Sequence, residues 1–300
     1  MSGRRLYLVV GPTGSGKTDL SIALAQHLCV PIISTDSRQF FREIPIGTAQ
    51  PNAEQLSAVK HYLVANHTVH DEINAGSYEK EALATLETLF QSTDSVVAVG
   101  GSGLYIKALC EGLDELPECS DALRSELRQR YEEQGLEPLL DELKHLDPPH
   151  WEVIDRCNPS RVIRALELCH ASGGRCSELR TGATKERDFE IIKVGIDLDR
   201  ELLYSRINRR VELMMEAGLE SEVRAVYPYR HLNSLQSVGY RELFDHFDGT
   251  INLHEAIELI QRNSRRYAKR QMTWFRRDES IKWFTTLDHQ EVINYVDSLL

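Results

Sequence analysis

The first third of the chain alternates short apolar runs with longer segments whose apolar residues recur at helical spacing. The apolar runs predict strands at Leu6–Val10, Ile32–Thr35 and Ser95–Val99. The segments between them predict helices at Leu20–Leu28 and Ser77–Gln91. Because short apolar strands that alternate with helices are typical of βαβ units, this region predicts an α/β fold with a parallel sheet.

The pattern changes near Pro117, after which no strand is predicted for about 70 residues. Three helices are predicted there, at Leu123–Tyr131, Leu136–Leu146 and Ser160–His170. We therefore expect a mostly helical insertion at residues 115–188. The α/β core is expected to comprise residues 1–114 and 189–300.

The remaining part of the core is predicted to be mainly helical. Strands are expected at Ile191–Leu198 and, more briefly, at Ile281–Phe284. Helices are expected at Arg200–Ala217, Leu219–Tyr227, Tyr240–Phe247 and Glu255–Met272. The late helices therefore add to a sheet that the earlier strands begin.

Composition places the chain among ordinary globular proteins. Its 300 residues are 41% hydrophobic and 27% charged, with a net charge of −11. The apolar run after Arg4 and Arg5 is too short for a signal peptide, and no run approaches the length of a membrane span. The six cysteines form no C-x-x-C pair, so we expect reduced thiols and no zinc site. We expect a cytoplasmic, monomeric protein that does not bind membranes.

An eight-residue segment after the first predicted strand fits the phosphate-loop pattern G-x-x-x-x-G-K-[ST] in full. It reads Gly11-Pro12-Thr13-Gly14-Ser15-Gly16-Lys17-Thr18, between a predicted strand and a predicted helix. The glycines let backbone N–H groups surround phosphate oxygens, and the helix dipole adds positive potential. Lys17 supplies a cation, and the Thr18 hydroxyl is a candidate Mg²⁺ ligand. The loop predicts that the protein binds a phosphate chain, but it does not identify the molecule that carries this chain.

The acid that usually accompanies such a loop in ATP hydrolases is missing from its expected place. That acid ends an apolar strand and supports Mg²⁺. Here the strand Val96–Val99 runs into Gly100-Gly101-Ser102-Gly103, and Asp197, which follows another apolar run, is a poorer match. A motor or switch is therefore disfavoured. A small-molecule kinase and a transferase with a diphosphate leaving group both remain.

Asp36 follows the second predicted strand directly. In open parallel sheets the carboxyl ends of the strands border the ligand crevice, so Asp36 is expected near the phosphate loop. Its carboxylate suits a general base or a metal ligand. Its position also suits a turn residue or a helix cap.

Several ordered blocks of sequence resemble the tRNA dimethylallyltransferase (isopentenyl-tRNA transferase) family over nearly the whole chain. The blocks are Asp36-Ser37-Arg38-Gln39, Ile46-Gly47-Thr48-Ala49, Gly100-Gly101-Ser102-Gly103-Leu104-Tyr105, Arg161-Val162-Ile163-Arg164-Ala165-Leu166-Glu167, Arg206-Ile207-Asn208-Arg209-Arg210-Val211, Gly218-Leu219 with Glu222-Val223, Val238-Gly239-Tyr240-Arg241 and Lys269-Arg270-Gln271-Met272-Thr273-Trp274-Phe275. The chain departs from the family pattern at Arg38, Pro45, Gln50 and Ser102. The zinc finger of eukaryotic members is missing, so the resemblance is to the bacterial type.

The resemblance implies transfer of a dimethylallyl group from dimethylallyl diphosphate to N6 of the adenosine immediately 3′ of the anticodon in tRNA, with release of diphosphate. It implies a P-loop NTPase-like core, with Mg²⁺ as the cofactor held by Thr18. The implied catalytic residues are Asp36 as the base, Lys17, Thr18, Ser102 and Arg210. The implied diphosphate site is residues 11–18 with Arg210, which shares a predicted helix face with Arg206.

A tRNA substrate implies a surface that grips the anticodon loop. Five basic residues fall on one stripe of a predicted helix, at Arg262, Arg265, Arg266, Lys269 and Arg270. The full set of expected tRNA contacts is Asp36, Ser37, Arg38, Gln39, Ser102, Arg124, Ser160, Arg161, Arg164, Gly239, Tyr240, Arg241, Lys269, Arg270 and Gln271. Tyr240, Trp274 and Phe275 are aromatic candidates for base stacking, with core packing as the competing role.

Three other functions compete with tRNA prenylation. An ATP-dependent small-molecule kinase would require an acid at the end of a core strand. Prenyl transfer to free AMP would require neither the insertion nor the basic helix. A non-catalytic RNA-binding module would require neither the complete phosphate loop nor Asp36.

Overall fold

The computed structural model describes residues 3–300, which divide into two compact units of residues 3–110 with 186–300 and of residues 111–185. The strands are β1 (Arg5–Val10), β2 (Ile32–Ser34), β3 (His61–Tyr62), β4 (Ser95–Gly100), β5 (Glu190–Ile196) and β6 (Lys282–Phe284). The helices are α1 (Lys17–Leu28), α2 (Ala53–Ala58), α3 (Ala75–Leu89), α4 (Gly103–Glu111), α5 (Asp121–Gln134), α6 (Glu137–Leu146), α7 (Pro148–Val153), α8 (Pro159–Ser172), α9 (Cys176–Leu179), α10 (Arg200–Glu216), α11 (Leu219–Val226), α12 (Tyr240–Phe247), α13 (Leu253–Phe275) and α14 (His289–Asp297).

All six strands form one parallel sheet in the order β3-β2-β4-β1-β5-β6. The predicted α/β class with a parallel sheet is confirmed. Val10 of β1 is in register with Gly100 of β4 and with Gly195 of β5. The carboxyl ends of the central strands are therefore level, and the loops that leave them share one edge of the sheet.

Both faces of the central strand β1 are buried. Tyr7 and Val9 pack on one side, against α1 and α14, while Leu6 and Leu8 pack on the other, against α3 and α4. A strand covered on both faces must be apolar at every position, which explains why the run has no alternation.

A third apolar cluster joins α11, α12 and α13 to the loop after β2. Phe41 and Ile44 of that loop pack with Val223, Tyr240 and Ile260 of the helices. This cluster fixes the loop that carries the Ile46-Gly47-Thr48-Ala49 block relative to the late helices.

The second unit holds helices α5 to α9 around its own core. Leu127, Leu139, Leu143, Val162 and Leu166 are fully buried there. Ser120, Asp147 and Asn158 cap α5, α7 and α8 with side-chain hydrogen bonds. All six cysteines of the chain are free thiols.

Some elements differ from the sequence prediction. Helix α13 begins earlier than predicted because the side chain of Asn252 forms a capping box with Glu255. The short elements α2, β3, α7, α9 and α14 and the helix α4 were not predicted. Helix α4 begins at a glycine, which sequence patterns assign to a turn. Within residues 3–300 no helix has the length and apolar character that crossing a membrane requires.

Candidate functional site

The phosphate loop leaves β1 and ends where α1 begins, at Lys17. Its glycines have the positive φ values that other residues rarely adopt, 153° at Gly11, 81° at Gly14 and 92° at Gly16. A Cβ at Gly14 would lie 2.9 Å from Cγ1 of Ile207, so no larger residue fits there. Among residues 3–300 the N–H groups of Gly14, Gly16 and Lys17 have no hydrogen-bond partner. They are the donors that an anion at this helix terminus would meet.

Two late helices hold the loop from outside. Nε of Arg206 donates to the Gly14 carbonyl at 2.8 Å, and Nη1 of Arg210 donates to Oγ1 of Thr13 at 3.2 Å. The N–H of Thr13 donates to Oε1 of Gln271 at 2.9 Å. The sequence predicted the shared face of Arg206 and Arg210. The structure adds that the Thr13 amide has a protein partner, so it is not a free phosphate donor.

Lys17 is a cation whose charge is poorly solvated. Its Nζ donates to the Pro12 carbonyl at 2.7 Å. Desolvation, followed by the positive charge of Arg210, lowers the pKa of Lys17 to about 7, and the charge of Asp36 opposes this shift. An anion bound here would therefore favour the protonated form of Lys17. The full positive charge of that form would in turn stabilise the anion.

Asp36 lies at the carboxyl edge of the sheet, after β2. Its Oδ1 accepts the N–H of Arg38 at 2.9 Å, and its own N–H donates to Oγ of Ser34 at 3.2 Å. Its charge acts on Lys17, Arg38 and Arg210, so three cations surround the carboxylate. Among residues 3–300 its Oδ2 accepts no hydrogen bond. That oxygen is free to accept one from a substrate.

The turn after β4 is tied to the turn after β2. Oγ of Ser102 accepts the N–H of Ser37 at 2.9 Å and donates to Oγ of Ser37 at 3.1 Å. Tyr267 of α13 lines the same cavity as Ser37. Burial and the nearby charge of Asp36 raise the pKa of Tyr267 to about 12, so this phenol is protonated at neutral pH. Tyr267 was missed by the sequence prediction, although it lies four residues before Gln271 and thus on the same helix face.

Glu222 holds the Ile46–Gly47 segment in place. Its carboxylate accepts the N–H groups of Ile46 and Gly47 at 2.7 and 2.8 Å and the hydroxyl of Tyr240 at 2.6 Å. Tyr240 is completely buried, and burial together with Glu222 raises its pKa. Of the two roles that the sequence left open for Tyr240, base stacking and core packing, the structure places the ring in the core and the hydroxyl against Glu222, so the ring is not exposed to RNA.

Two glutamines support the same loop from within. Gln39 accepts from Oγ of Ser34 at 3.1 Å and donates to the Ala49 carbonyl at 2.9 Å. Gln50, one of the departures from the family pattern, donates to the carbonyls of Gln39 and Phe41 at 3.1 and 2.8 Å. This residue therefore holds the main chain of the loop together.

One cavity of about 370 Å³ joins these groups. Its polar wall includes Thr13, Lys17, Thr18, Asp36, Ser37, Arg38, Gln39, Arg210, Gly239, Arg241, Tyr267, Arg270 and Gln271. Its apolar wall includes Ile207, Val211, Met214, Leu219 and Ile260. A polyanion and a small branched apolar group can thus be accommodated in one space.

Helix α13 carries the basic stripe predicted from the sequence. Arg262, Arg266, Lys269 and Arg270 are exposed, and within the described residues none of them pairs with a carboxylate. Arg265 differs, because its guanidinium binds Oδ1 of Asn208 at 2.5 Å. The stripe therefore offers four unpaired cations.

Two other expected RNA contacts on α13 are not exposed. Gln271 is buried with both ends of its amide occupied, and Phe275 is 2% exposed. Gln271 does line the cavity, so its expected contact with tRNA stays a prediction. Trp274 remains a stacking candidate because it is 42% exposed.

The expected RNA contacts in the helical unit differ in how free they are. Arg124 lies 3.6 Å, and Arg164 2.7 Å, from the carboxylate of Glu167, so both are paired. Ser160 and Arg161, at the start of α8, are exposed. Arg161 is thus the freer cation of this unit's predicted set.

Asp197, the weaker candidate for a strand-ending acid, forms an ion pair with Arg276 at 2.9 Å. The residues that could hold Mg²⁺ are instead Thr18 and Asp36, which line the same cavity. A hydroxyl and a carboxylate are oxygen ligands of the kind that Mg²⁺ accepts together with substrate phosphates. The donor set therefore fits Mg²⁺.

Comparison with known proteins gives a consistent result over the whole chain. A model of the IPP transferase family matches residues 39–278. The tRNA dimethylallyltransferase 1 of Phocaeicola vulgatus is 47% identical over 294 residues, which cover 98% of both chains. The tRNA dimethylallyltransferase 2 of Porphyromonas gingivalis is 51% identical over 279 residues, which cover 93% of both.

Solved structures are similar as well. The full-length tRNA isopentenylpyrophosphate transferase of Bacillus halodurans has a TM-score of 0.72 at 34% identity, covering 98% of this chain and 96% of that one. A eukaryotic dimethylallyltransferase acting on tRNA has a TM-score of 0.80 at 23% identity, covering 99% of this chain and 78% of that one, which is a likeness of fold.

Proposed function

The chain belongs to the IPP transferase family, and we propose that it transfers a dimethylallyl group from dimethylallyl diphosphate to N6 of the adenosine immediately 3′ of the anticodon in tRNA. The observation that carries this proposal is the single cavity in which a phosphate loop faces the carboxylate of Asp36. The first supplies a site for the leaving diphosphate, and the second supplies a base for the attacking amine.

The donor side of the reaction breaks a carbon–oxygen bond, and negative charge grows on the leaving diphosphate. Fixed donors aimed at that charge stabilise the transition state more than the ground state. The free loop amides, Lys17 and Arg210 are such donors. Mg²⁺ bound by Thr18 would supply further neutralisation of the diphosphate charge. The apolar wall accommodates the dimethylallyl group.

The acceptor side requires that an aromatic amine lose a proton as its nitrogen forms the new carbon–nitrogen bond. The free Oδ2 of Asp36 accepts that proton, while Oδ1 stays fixed by the N–H of Arg38. Ser102 acts through Ser37, since its hydroxyl holds the turn that follows Asp36. We assign Ser102 a positioning role in place of direct contact with the reacting atoms.

The base must leave its stack in the anticodon loop to enter the cavity. Cations around the opening would compensate the phosphates of the loop during that step. Arg270 and Arg241 line the cavity, and Arg262, Arg266 and Lys269 extend the positive surface along α13. We propose that Arg161 and Ser160 of the helical unit contact the RNA as well, and that the protein acts as a monomer.

The decisive experiment is mass spectrometry of nucleosides after incubation of unmodified tRNA, the protein and dimethylallyl diphosphate. A mass gain of one dimethylallyl group on adenosine supports the proposal. Modification of free AMP, or release of phosphate from ATP that depends on Lys17, would favour one of the two competing enzymes. RNA binding without any product would favour the non-catalytic module.

A further inference from the structure

Gln271 lies between the two loops that carry the donor and acceptor chemistry. Its side-chain Oε1 accepts the N–H of Thr13 at 2.9 Å, and its Nε2 donates to the carbonyl of Gly101 at 2.8 Å. One buried amide therefore joins the phosphate loop after β1 to the turn after β4. Each end of this amide thus has a main-chain partner.

The connection continues from Gly101 to the proposed base. Ser102 follows Gly101 in the chain and holds the amide and hydroxyl of Ser37, the residue after Asp36. Tyr267, one turn before Gln271 on the same face of α13, lines the cavity next to this connection. The path from Thr13 to Asp36 thus runs through the Gln271 amide, the main chain from Gly101 to Ser102, and the Ser102 hydroxyl.

The Gln271 amide is closely packed against Gly101. A Cβ at Gly101 would overlap Nε2 of Gln271, so the amide occupies the space that a side chain at this position would need. Thr13 is held equally firmly, because Arg210 binds its hydroxyl while Gln271 binds its amide. A shift of the Gln271 amide would therefore break one of its two hydrogen bonds or move the phosphate loop or the turn at Gly101.

We propose that Gln271 is a positioning residue that fixes the separation of the leaving diphosphate from Asp36. This inference rests on the proposed prenyl transfer, because only a reaction with a donor and an acceptor on the two loops requires their alignment. Misplacement of reacting groups by about 1 Å can cost about 100-fold in rate. A surface role in RNA binding would instead change affinity.

The test compares Gln271→Met with Gln261→Met, a matched substitution on the same helix outside the cavity, where Nε2 contacts the Asn208 carbonyl at 3.4 Å. Met keeps the length of the side chain and removes both hydrogen bonds of Gln271. We expect the single-turnover rate at saturating tRNA and dimethylallyl diphosphate to fall about 10- to 100-fold in Gln271→Met. The tRNA Kd should change less than about twofold. Gln261→Met should react at nearly the wild-type rate.

A second variant reaches the same bridge from its other end. Gly101→Ala displaces the Gln271 amide and should lower the rate in the same manner. Because both changes break one connection, the double variant should lose less than the product of the two single losses. If Gln271→Met is too unstable to assay, Gly101→Ala alone tests the bridge by its rate and its tRNA Kd.

Three results would overturn the positioning role. They are a wild-type rate in Gln271→Met and Gly101→Ala, a loss confined to tRNA affinity, or losses that multiply in the double variant. Absence of prenylated adenosine with the wild-type protein and Gln261→Met would overturn the proposed function itself, and so it is distinguishable from these three.

Discussion

Arg210 lies beside Lys17 in one cavity, and its charge adds to desolvation in holding the pKa of Lys17 at about 7. Two cations that repel each other in the free protein become complementary once an anion lies between them. The repulsion between Lys17 and Arg210 is thus located where the negatively charged substrate would bind.

The low pKa of Lys17 predicts a pH dependence of diphosphate binding. Bound diphosphate raises this pKa, so binding takes up a proton wherever the free lysine is neutral, above about pH 7. Below that pH, Lys17 is already charged and contributes no slope. Between pH 7 and 9 the affinity of the wild type should fall relative to Lys17→Arg by about tenfold per pH unit.

Calorimetric titration with inorganic pyrophosphate measures this ratio. The ionisation of pyrophosphate itself cancels, because both proteins bind the same ligand. Parallel pH profiles for the two proteins would contradict the assignment of the low pKa to Lys17.

Asp36→Asn tests the base. Asparagine keeps the oxygen that accepts the N–H of Arg38 and removes the basic site. The single-turnover rate should fall about 10²–10⁴-fold, with the affinities for tRNA and diphosphate nearly unchanged. A Mg²⁺ titration separates the alternatives, since a purely metal-binding role would raise the Mg²⁺ requirement and allow recovery at high concentration. Turnover close to wild type would rule out the base assignment.

The basic stripe on α13 predicts a steep salt dependence of tRNA binding. The logarithm of affinity falls with the logarithm of salt by about 0.7–0.9 per phosphate contact. Lys269→Ala with Arg270→Ala should therefore flatten the slope by about 1.4–1.8. The matched control is Arg209→Ala with Arg224→Ala, two arginines already paired with glutamates on their own helices. Equal slopes for both double variants would show that the stripe is an ordinary solvated helix face that does not contact phosphates.

Tyr240→Phe tests the clamp at Glu222. The substitution removes a buried hydrogen bond to a carboxylate and should lower the free energy of unfolding by about 1.5–3 kcal/mol. Urea denaturation measures the change. Tyr229→Phe is the control, since that ring is 43% exposed and should lose almost nothing. A loss of RNA affinity without loss of stability would restore Tyr240 as an RNA contact.

The phosphate loop could be predicted because eight consecutive residues carry its whole signal. The role of Gln271 could not, because its partners Thr13 and Gly101 lie 258 and 170 residues away in the chain. The sequence could not decide between the two roles of Tyr240 for a related reason. Its motif is contiguous, but its burial depends on the position of Glu222, which only the packed helices determine.

The same difference between local and long-range sequence signals applies to the elements of the fold. Helical periodicity located α5, α6 and α8, since each has an apolar stripe long enough to be visible. The strand β3 has two residues, which is too short for any pattern. Its pairing with β2 comes from tertiary contacts alone.

The central position of β1 in the sheet has a consequence for folding during synthesis of the chain. Arg5 pairs with Glu190, and the phosphate loop receives its amide partner only from residue 271. At a synthesis rate of about 5–20 residues per second, roughly 10–50 s separate the appearance of the loop from that of Gln271. The loop is thus made well before the residue that completes its hydrogen bonding. From the proposed role of Gln271 we expect that a partly made chain does not align diphosphate with Asp36, and that activity begins only when the late helices have docked.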